Sequence, residues 1–441
     1  MNIAPMAGGN GWARRWAHAG GLGVVMVSLV LPAAARADTS PRATANASAS
    51  AEDLKDNWPT FRGPGAGGYA AHANPPLSWS AEEGTNILWK TPVPTHGMSS
   101  PVVWGKRLFL TGADDSGRQI YCFDTETGEL LWRHEVNGVP GFPADSEPPT
   151  VLEETGLAAP TATTNGRHVA AIFGTGELVC LNMKGERIWS RHLGVPENPY
   201  GHASSLMSHE DLLFVQYDQE ADSRLLAFDL ASGDPVWQVK RGAISWSSPI
   251  LVDNTGRMEL ILTNSRAVDG YDPLSGRILW HLECLEGEVG PSAAYTDGIV
   301  FVSGEGATGS AIDIGSHDVE PRILWQWDEA LPDAASPLGK DGYFIVPTGF
   351  GVVSCLEAKT GRVLWERDFD RGFWSSPIAV DDRVYMIDRY GAMQVFKLDD
   401  EFELLGVSEI GERAYATPAV VEDRVYIRGL THLFCIEAGA K

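Results

Sequence analysis

Seven side chains able to bind a partner or ligand stand shortly before a motif that recurs along the chain: His96, His202, Trp246, Glu288, Arg371, Trp374 and Tyr415. The motif is Ser-Ser-Pro at 99–101, 247–249 and 375–377, with looser copies between. Aromatic rings, imidazoles and a few charges gathered at one mouth would stack a planar group or grip an extended segment. The same side chains would serve equally as packing between repeats, and both uses stay open. No catalytic residue and no metal ligand is assigned. The sequence contains no P-loop, no H-E-x-x-H, no EF-hand loop and no G-x-S-x-G.

A second candidate is the insertion from Gly138 to Gly156. It carries Asp145, Glu147, Glu153 and Glu154 among four prolines. Long loops on a rigid frame often carry function, although an acidic loop is also an ordinary solvated face. The five cysteines do not read as a disulfide set. Cys122, Cys180, Cys355 and Cys435 each precede a turn acid by one or two residues, where other repeats place Ala227, Gly270 and Ala311. That slot takes a small buried side chain. Equivalent slots in neighbouring repeats lie too far apart for a bridge. Cys284 falls outside the pattern.

These candidates need a frame, and the counts point to one. The chain has 441 residues, 15 Trp, 48 Gly and a formal charge of −24. Such acidity argues against nucleic acid and against docking on anionic lipid. Arg14 and Arg15, the apolar run from Gly20 to Leu31 and the Ala35-Arg36-Ala37 site compose a signal peptide over 1–37. Its removal leaves 58 acids against 31 bases, or −27. Residues 38–57 read as a disordered linker, and 58–85 as an extension packed on one surface of the fold. The apolar run is too short to span a bilayer. No later segment reads as transmembrane, and the first cysteine, Cys122, is far from the cleavage site, so no lipid anchor is expected.

Trp89, Trp132, Trp189, Trp237, Trp280, Trp325 and Trp365 form a series with gaps of 40 to 57 residues. An acid and a Gly precede most of them at steps of four, as in Asp124, Gly128 and Trp132. The acid closes a turn through backbone N–H groups, and the Gly supplies positive φ. The Trp then points the same way from every outer strand. About four short strands per repeat, at a period of 40–50 residues, define a propeller blade. Eight repeat starts give an eight-bladed, all-β propeller over 86–441. The final repeat lacks its Trp strand, and Ile87–Lys90 would supply it and close the ring. Leu405 falls where blade 7 should carry Trp, and blade 5 has an insertion before Trp325.

The Ala/Cys-x-Asp-x-x-Thr-Gly-x-x-x-Trp element resembles the docking motif of the pyrrolo-quinoline quinone (PQQ) repeat family. That family includes quinoprotein alcohol dehydrogenases and the outer-membrane assembly propeller BamB. The opening Trp58-Pro-Thr-Phe-Arg62-Gly63-Pro64 is similar to a group of exported bacterial members, most without assigned activity. The resemblance implies that the seven tryptophans are structural. The family's enzymes hold Ca²⁺ through Glu, Asn and Asp, use an Asp base, and place an adjacent Cys-Cys disulfide beside the quinone. This sequence has no adjacent Cys pair, so no cofactor is expected, with PQQ and Ca²⁺ as the alternative. The expectation is an exported, periplasmic or secreted, non-catalytic scaffold that binds a protein segment or cell-envelope component. The alternatives are a PQQ-dependent oxidoreductase and a small-ligand carrier or sensor. A closed ring needs no second copy, which points to a monomer.

Overall fold

The computed structural model describes residues 51–71, 73–114, 117–142, 151–152, 155–315 and 319–440. The leader, most of the linker and the four acids of the insertion (Asp145, Glu147, Glu153, Glu154) lie outside the described residues. The last part of the segment read as linker differs from expectation. Ala51–Lys55 forms a short helix, as Ala, Glu, Leu and Lys favour.

The described residues form an eight-bladed propeller in which each blade is a sheet of four antiparallel strands. Blade 8 combines Ala419–Val421, Arg424–Arg428 and His432–Glu437 with the early strand Ile87–Pro92, which pairs with His432–Glu437. The two middle strands of a blade meet neighbouring blades on both faces. They are therefore buried almost throughout, as in Leu212–Tyr217. Outer strands alternate, as in Pro235–Lys240.

Two belts tie the blades. In the outer belt, the Trp of one blade lies on the turn glycine of the next. A Cβ at Gly361 would sit 2.5 Å from Trp325, and one at Gly233 would sit 2.5 Å from Trp189. These glycines also have positive φ, so both space and backbone forbid a larger residue. The indole N–H then reaches a backbone carbonyl of that turn, as Trp325 Nε1 does to Ala358 O at 2.8 Å and Trp89 Nε1 to Thr125 O at 2.9 Å. Asp124 Oδ1 holds its turn by accepting from the Glu126 and Thr127 amides, both at 2.9 Å. Directly across the sheet from each Trp stands the small residue noted above, such as Cys122 opposite Trp132 and Ala227 opposite Trp237. The five cysteines are free thiols, and burial pushes Cys122, Cys355 and Cys435 up to about 12.

The outer belt departs from expectation twice. Trp280 does not point like the others. Blade 5 lacks the short glycine turn, and Trp280 Nε1 donates instead to Glu259 Oε2 in its own blade at 2.6 Å. In blade 7 the turn is one residue longer, closed by Lys397 N to Glu403 O where blade 1 has Asp124 N to Glu129 O, so Gly406, not Leu405, stands opposite Val395 in the Trp position. The extension covers that gap. Ser80 pairs with Glu409, and the buried Trp79 donates its amide to Ser408 Oγ at 2.8 Å. Trp79 joins the apolar cluster shared by blades 7, 8 and 1.

The inner belt is made of hydroxyls at the repeat starts. The Ser100 amide donates to Thr161 Oγ1, Thr161 to Ser205 Oγ, and Ser205 to Ser248 Oγ, at 2.8–3.1 Å. Ser248 donates to Ser292, Ser292 to Ser336 and Ser336 to Ser376, at 2.9–3.0 Å. Ser376 donates to Thr417, and Thr417 returns to Ser100 Oγ at 3.0 Å. The circuit closes through all eight blades. Blade 2 takes part through Thr161, one residue beyond the Pro that marks its start.

Beyond this ring the channel is filled by the extension. Trp58 exchanges both backbone bonds with Val103, at 2.9 and 2.8 Å. Thr60 Oγ1 donates to Leu206 O. The buried Arg62 donates to Pro337 O at 2.6 Å and Ala293 O at 3.5 Å. Tyr69–Ala70 adds a parallel strand to Ala379–Val380. Burial without a carboxylate in hydrogen-bond contact lowers the Arg62 guanidinium to about 10.

Trp325→Ala should cost about 3–5 kcal/mol, read as a lower denaturant midpoint; an unchanged midpoint would remove the docking role. Arg62→Ala should release the extension, seen as faster thermolysin cleavage within 58–85 while the far-ultraviolet circular dichroism of the ring is kept. Equal cleavage rates would show that Arg62 does not pin the segment.

Candidate functional site

Above the hydroxyl ring the channel opens into a cavity of about 450 Å³. All eight ring hydroxyls line it, and Phe61 of the extension contributes to its wall. Links between blades raise the rest. Tyr200 and Trp246 meet edge-to-face at 5.2 Å, and Trp246 Nε1 donates to Asn198 Oδ1 at 2.7 Å. Trp374 and Tyr415 form a tilted pair at 5.0 Å, backed by the Arg389 guanidinium 4.1 Å over the Trp374 ring. Leu152 and Thr155, on the long blade 1–2 connection, also reach the cavity.

The remaining wall is acidic. Glu288 and Glu305 are bridged through their backbones and both line the cavity, as does Asp333. Asp333 Oδ1 accepts from the Gly349 amide at 2.8 Å. Three carboxylates and no Lys, Arg or His line the cavity among the described residues. These acids do not converge into a metal-ligand set; among the described residues no three His, Cys, Asp or Glu do.

Four of the seven side chains read from the sequence line this cavity: Trp246, Glu288, Trp374 and Tyr415. The other three do not. His96 is exposed outside the lining. Its carbonyl accepts from the Ala113 amide at 2.8 Å, because the chain is still joining the second strand of blade 1. His202 is buried and stacked on Tyr217 at 5.3 Å. Arg371 stands farther out, 3.7 Å from Glu409 and over the Tyr390 ring at 5.0 Å. With Arg413, also over Tyr390 at 5.4 Å, it builds a basic, aromatic patch outside the mouth.

Sequence reading missed Tyr200, Glu305, Asp333 and the hydroxyl ring. Tyr200 was within reach, because it precedes Ser205 much as Trp246 precedes Ser248. Glu305 comes from a turn between the second and third strands of a blade, a class of loop that the repeat starts do not mark. The hydroxyls were visible as Ser-Ser-Pro, but their bonds connect different repeats.

An eight-bladed ring with tryptophans docked on turn glycines is a propeller of the PQQ-like repeat class. The chain belongs to the family described as outer membrane protein assembly factor BamB, whose model matches residues 64–212, 119–292 and 317–427. Among solved structures it is similar to BamB from Moraxella catarrhalis, with a TM-score of 0.59 and 14% identity over 80% of this chain and 97% of that one. It is also similar to a quinohemoprotein alcohol dehydrogenase from Comamonas testosteroni, with a TM-score of 0.67 and 11% identity over 89% and 82%. At these identities the likeness shows the fold. No curated protein matches the sequence. No helix among the described residues is long and apolar enough to cross a membrane.

Burial lowers the His202 imidazole from its ordinary 6.5 to about 4. The unfolded chain therefore takes up a proton that the folded chain refuses between these values. Stability is full above about pH 6.5 and falls as pH drops toward 4. His202→Phe keeps a ring on Tyr217 and should flatten that part of the stability–pH curve, by up to about 3 kcal/mol at pH 4. Parallel wild-type and variant curves would contradict the assignment.

Proposed function

We propose that this chain is an exported, non-catalytic binding propeller whose mouth holds a protein segment or cell-envelope component. The carrying observation is the pair of aromatic clusters, Tyr200–Trp246 and Trp374–Tyr415, both lining one open cavity. Rigid aromatic surface held over a closed floor is what a recognition site needs, since little ordering entropy remains to oppose binding. Membership in the family described as outer membrane protein assembly factor BamB supports an envelope setting. So does the leader read over 1–37.

The enzymatic reading is PQQ-dependent oxidation, and likeness to a quinohemoprotein dehydrogenase brings it forward. The described lining supports this reading less well. PQQ is a tricarboxylate, and among the described residues Glu288, Glu305 and Asp333 line the cavity with no Lys, Arg or His, so a bound Ca²⁺ would have to offset its charge. Among the described residues no three carboxylates, histidines or cysteines cluster to hold such an ion. The cysteines that face the docking tryptophans belong to the outer belt, outside the cavity lining. No step through the quinone is derived.

Titration with PQQ and Ca²⁺ should give no saturable absorbance change and no dye-linked alcohol oxidation. A saturable signal lost in Trp246→Ala or Trp374→Ala would overturn the non-catalytic reading. A photo-crosslinking residue at Ala334, which lines the mouth, should capture a specific envelope partner under native conditions. Failure to capture one would count against the scaffold reading.

A further inference from the structure

The hydroxyl ring does more than hold blades together. Each of its eight Oγ atoms accepts a backbone N–H from the neighbouring blade. None of the eight donates its own proton to a protein acceptor among the described residues. All eight residues are at least nine-tenths buried, and all line the cavity. The floor is therefore a circle of O–H donors with one lone pair already engaged. These hydroxyls face the open cavity, so the floor offers O–H donors to whatever oxygen acceptors fill it.

The rim asks for the opposite. Glu288, Glu305 and Asp333 are acceptors that call for donors. Between floor and rim stand Trp246 and Tyr200 on one side, and Trp374 and Tyr415 on another, offering ring faces and edges to C–H surface. An anion would satisfy the floor and be repelled by the rim. A cation would satisfy the rim and leave the floor unmatched. An apolar group would strand both.

We propose that the mouth binds a neutral saccharide of one or two rings. Such a molecule carries oxygen acceptors and O–H donors on one frame, with C–H faces that stack on aromatic rings. Its oxygens take the floor hydroxyls, and its own hydroxyls donate to Glu288, Glu305 and Asp333. Its C–H faces lie on Trp246 and Trp374. The cavity of about 450 Å³ lies within the range of small-ligand clefts. Phe61 and the extension close the far end, so the saccharide enters as a terminus and does not thread through. The proposal rests on the reading of this mouth as a binding site and names what it binds.

The test is calorimetric titration of the full ring with maltose, cellobiose and N,N′-diacetylchitobiose, with glucuronate as the charged control. At least one disaccharide should bind saturably with a Kd of about 1 mM or tighter. Glucuronate should bind at least about tenfold more weakly, which is 1.4 kcal/mol. Trp246→Ala should weaken binding at least about tenfold, with recovery in Trp246→Phe. Glu288→Ala should weaken it several-fold. Ser292→Ala also removes a bond between blades, so its thermal melt is recorded beside its affinity. Ser292→Thr restores the hydroxyl and should restore binding. No binding by any of the three disaccharides, or equal binding of glucuronate, overturns the proposal. If the crosslinker at Ala334 nevertheless captures a specific protein, the saccharide assignment falls and the mouth remains a binding site. If neither is found, both fall.

Discussion

Each blade begins with a backbone amide that has no partner inside its own sheet, and the next blade begins with a hydroxyl that takes it. That exchange sets the central constraint of the molecule. It runs through eight blades and returns from Thr417 to Ser100, so spacing errors cannot accumulate around the ring. The tryptophan belt does the same work farther out. Because both belts join consecutive blades, each blade is stabilised mainly by its neighbours, and the ring is stable only as a whole. Where the outer belt is interrupted, another group fills the place. Glu259 receives the indole of Trp280, and Trp79 enters from outside the repeats beside blade 7.

Much of this was legible because it is periodic. Seven tryptophans at blade-length intervals, with an acid and a glycine before most of them, leave little choice of architecture. The physical reason for the glycine was only half visible. Its positive φ follows from the turn, but the indole resting on it belongs to the preceding repeat and cannot be read within one. The shift from Leu405 to Gly406 was hidden for a similar reason. The blade 7 turn between Lys397 and Glu403 carries one residue more than that of blade 1 and lacks its glycine, so only the opposing Val395 shows where the slot lies.

The site was legible in proportion to how closely its residues follow the repeat. Trp246, Trp374 and Tyr415 sit in links immediately before the repeat starts and were found. His202 occupies a similar place but turns into the wall against Tyr217, a choice made by side-chain packing. Glu305 and Asp333 gain meaning only from their neighbours in space. The outcome is a polarised mouth, with carboxylates along blades 4 to 6 and arginines behind the aromatic pair toward blades 7 and 8. Closure of its floor by the extension makes it a cup, which suits retention of a ligand better than passage.

The strand Ile87–Pro92 pairs with His432–Glu437, near the other end of the chain. This pairing has a temporal meaning. Ile87–Pro92 is synthesised among the first segments of the ring and its partner among the last. The ring therefore cannot shut until its last strand has been made, and a closing contact between the two ends of the repeat array makes closure slow. Until then a growing chain exposes two unpaired edges, one at each end. A shortened product lacking the last strand would keep both edges for good and would be a target for aggregation or proteolysis. The hydrogen bonds that close the ring thus form only after every blade has been made.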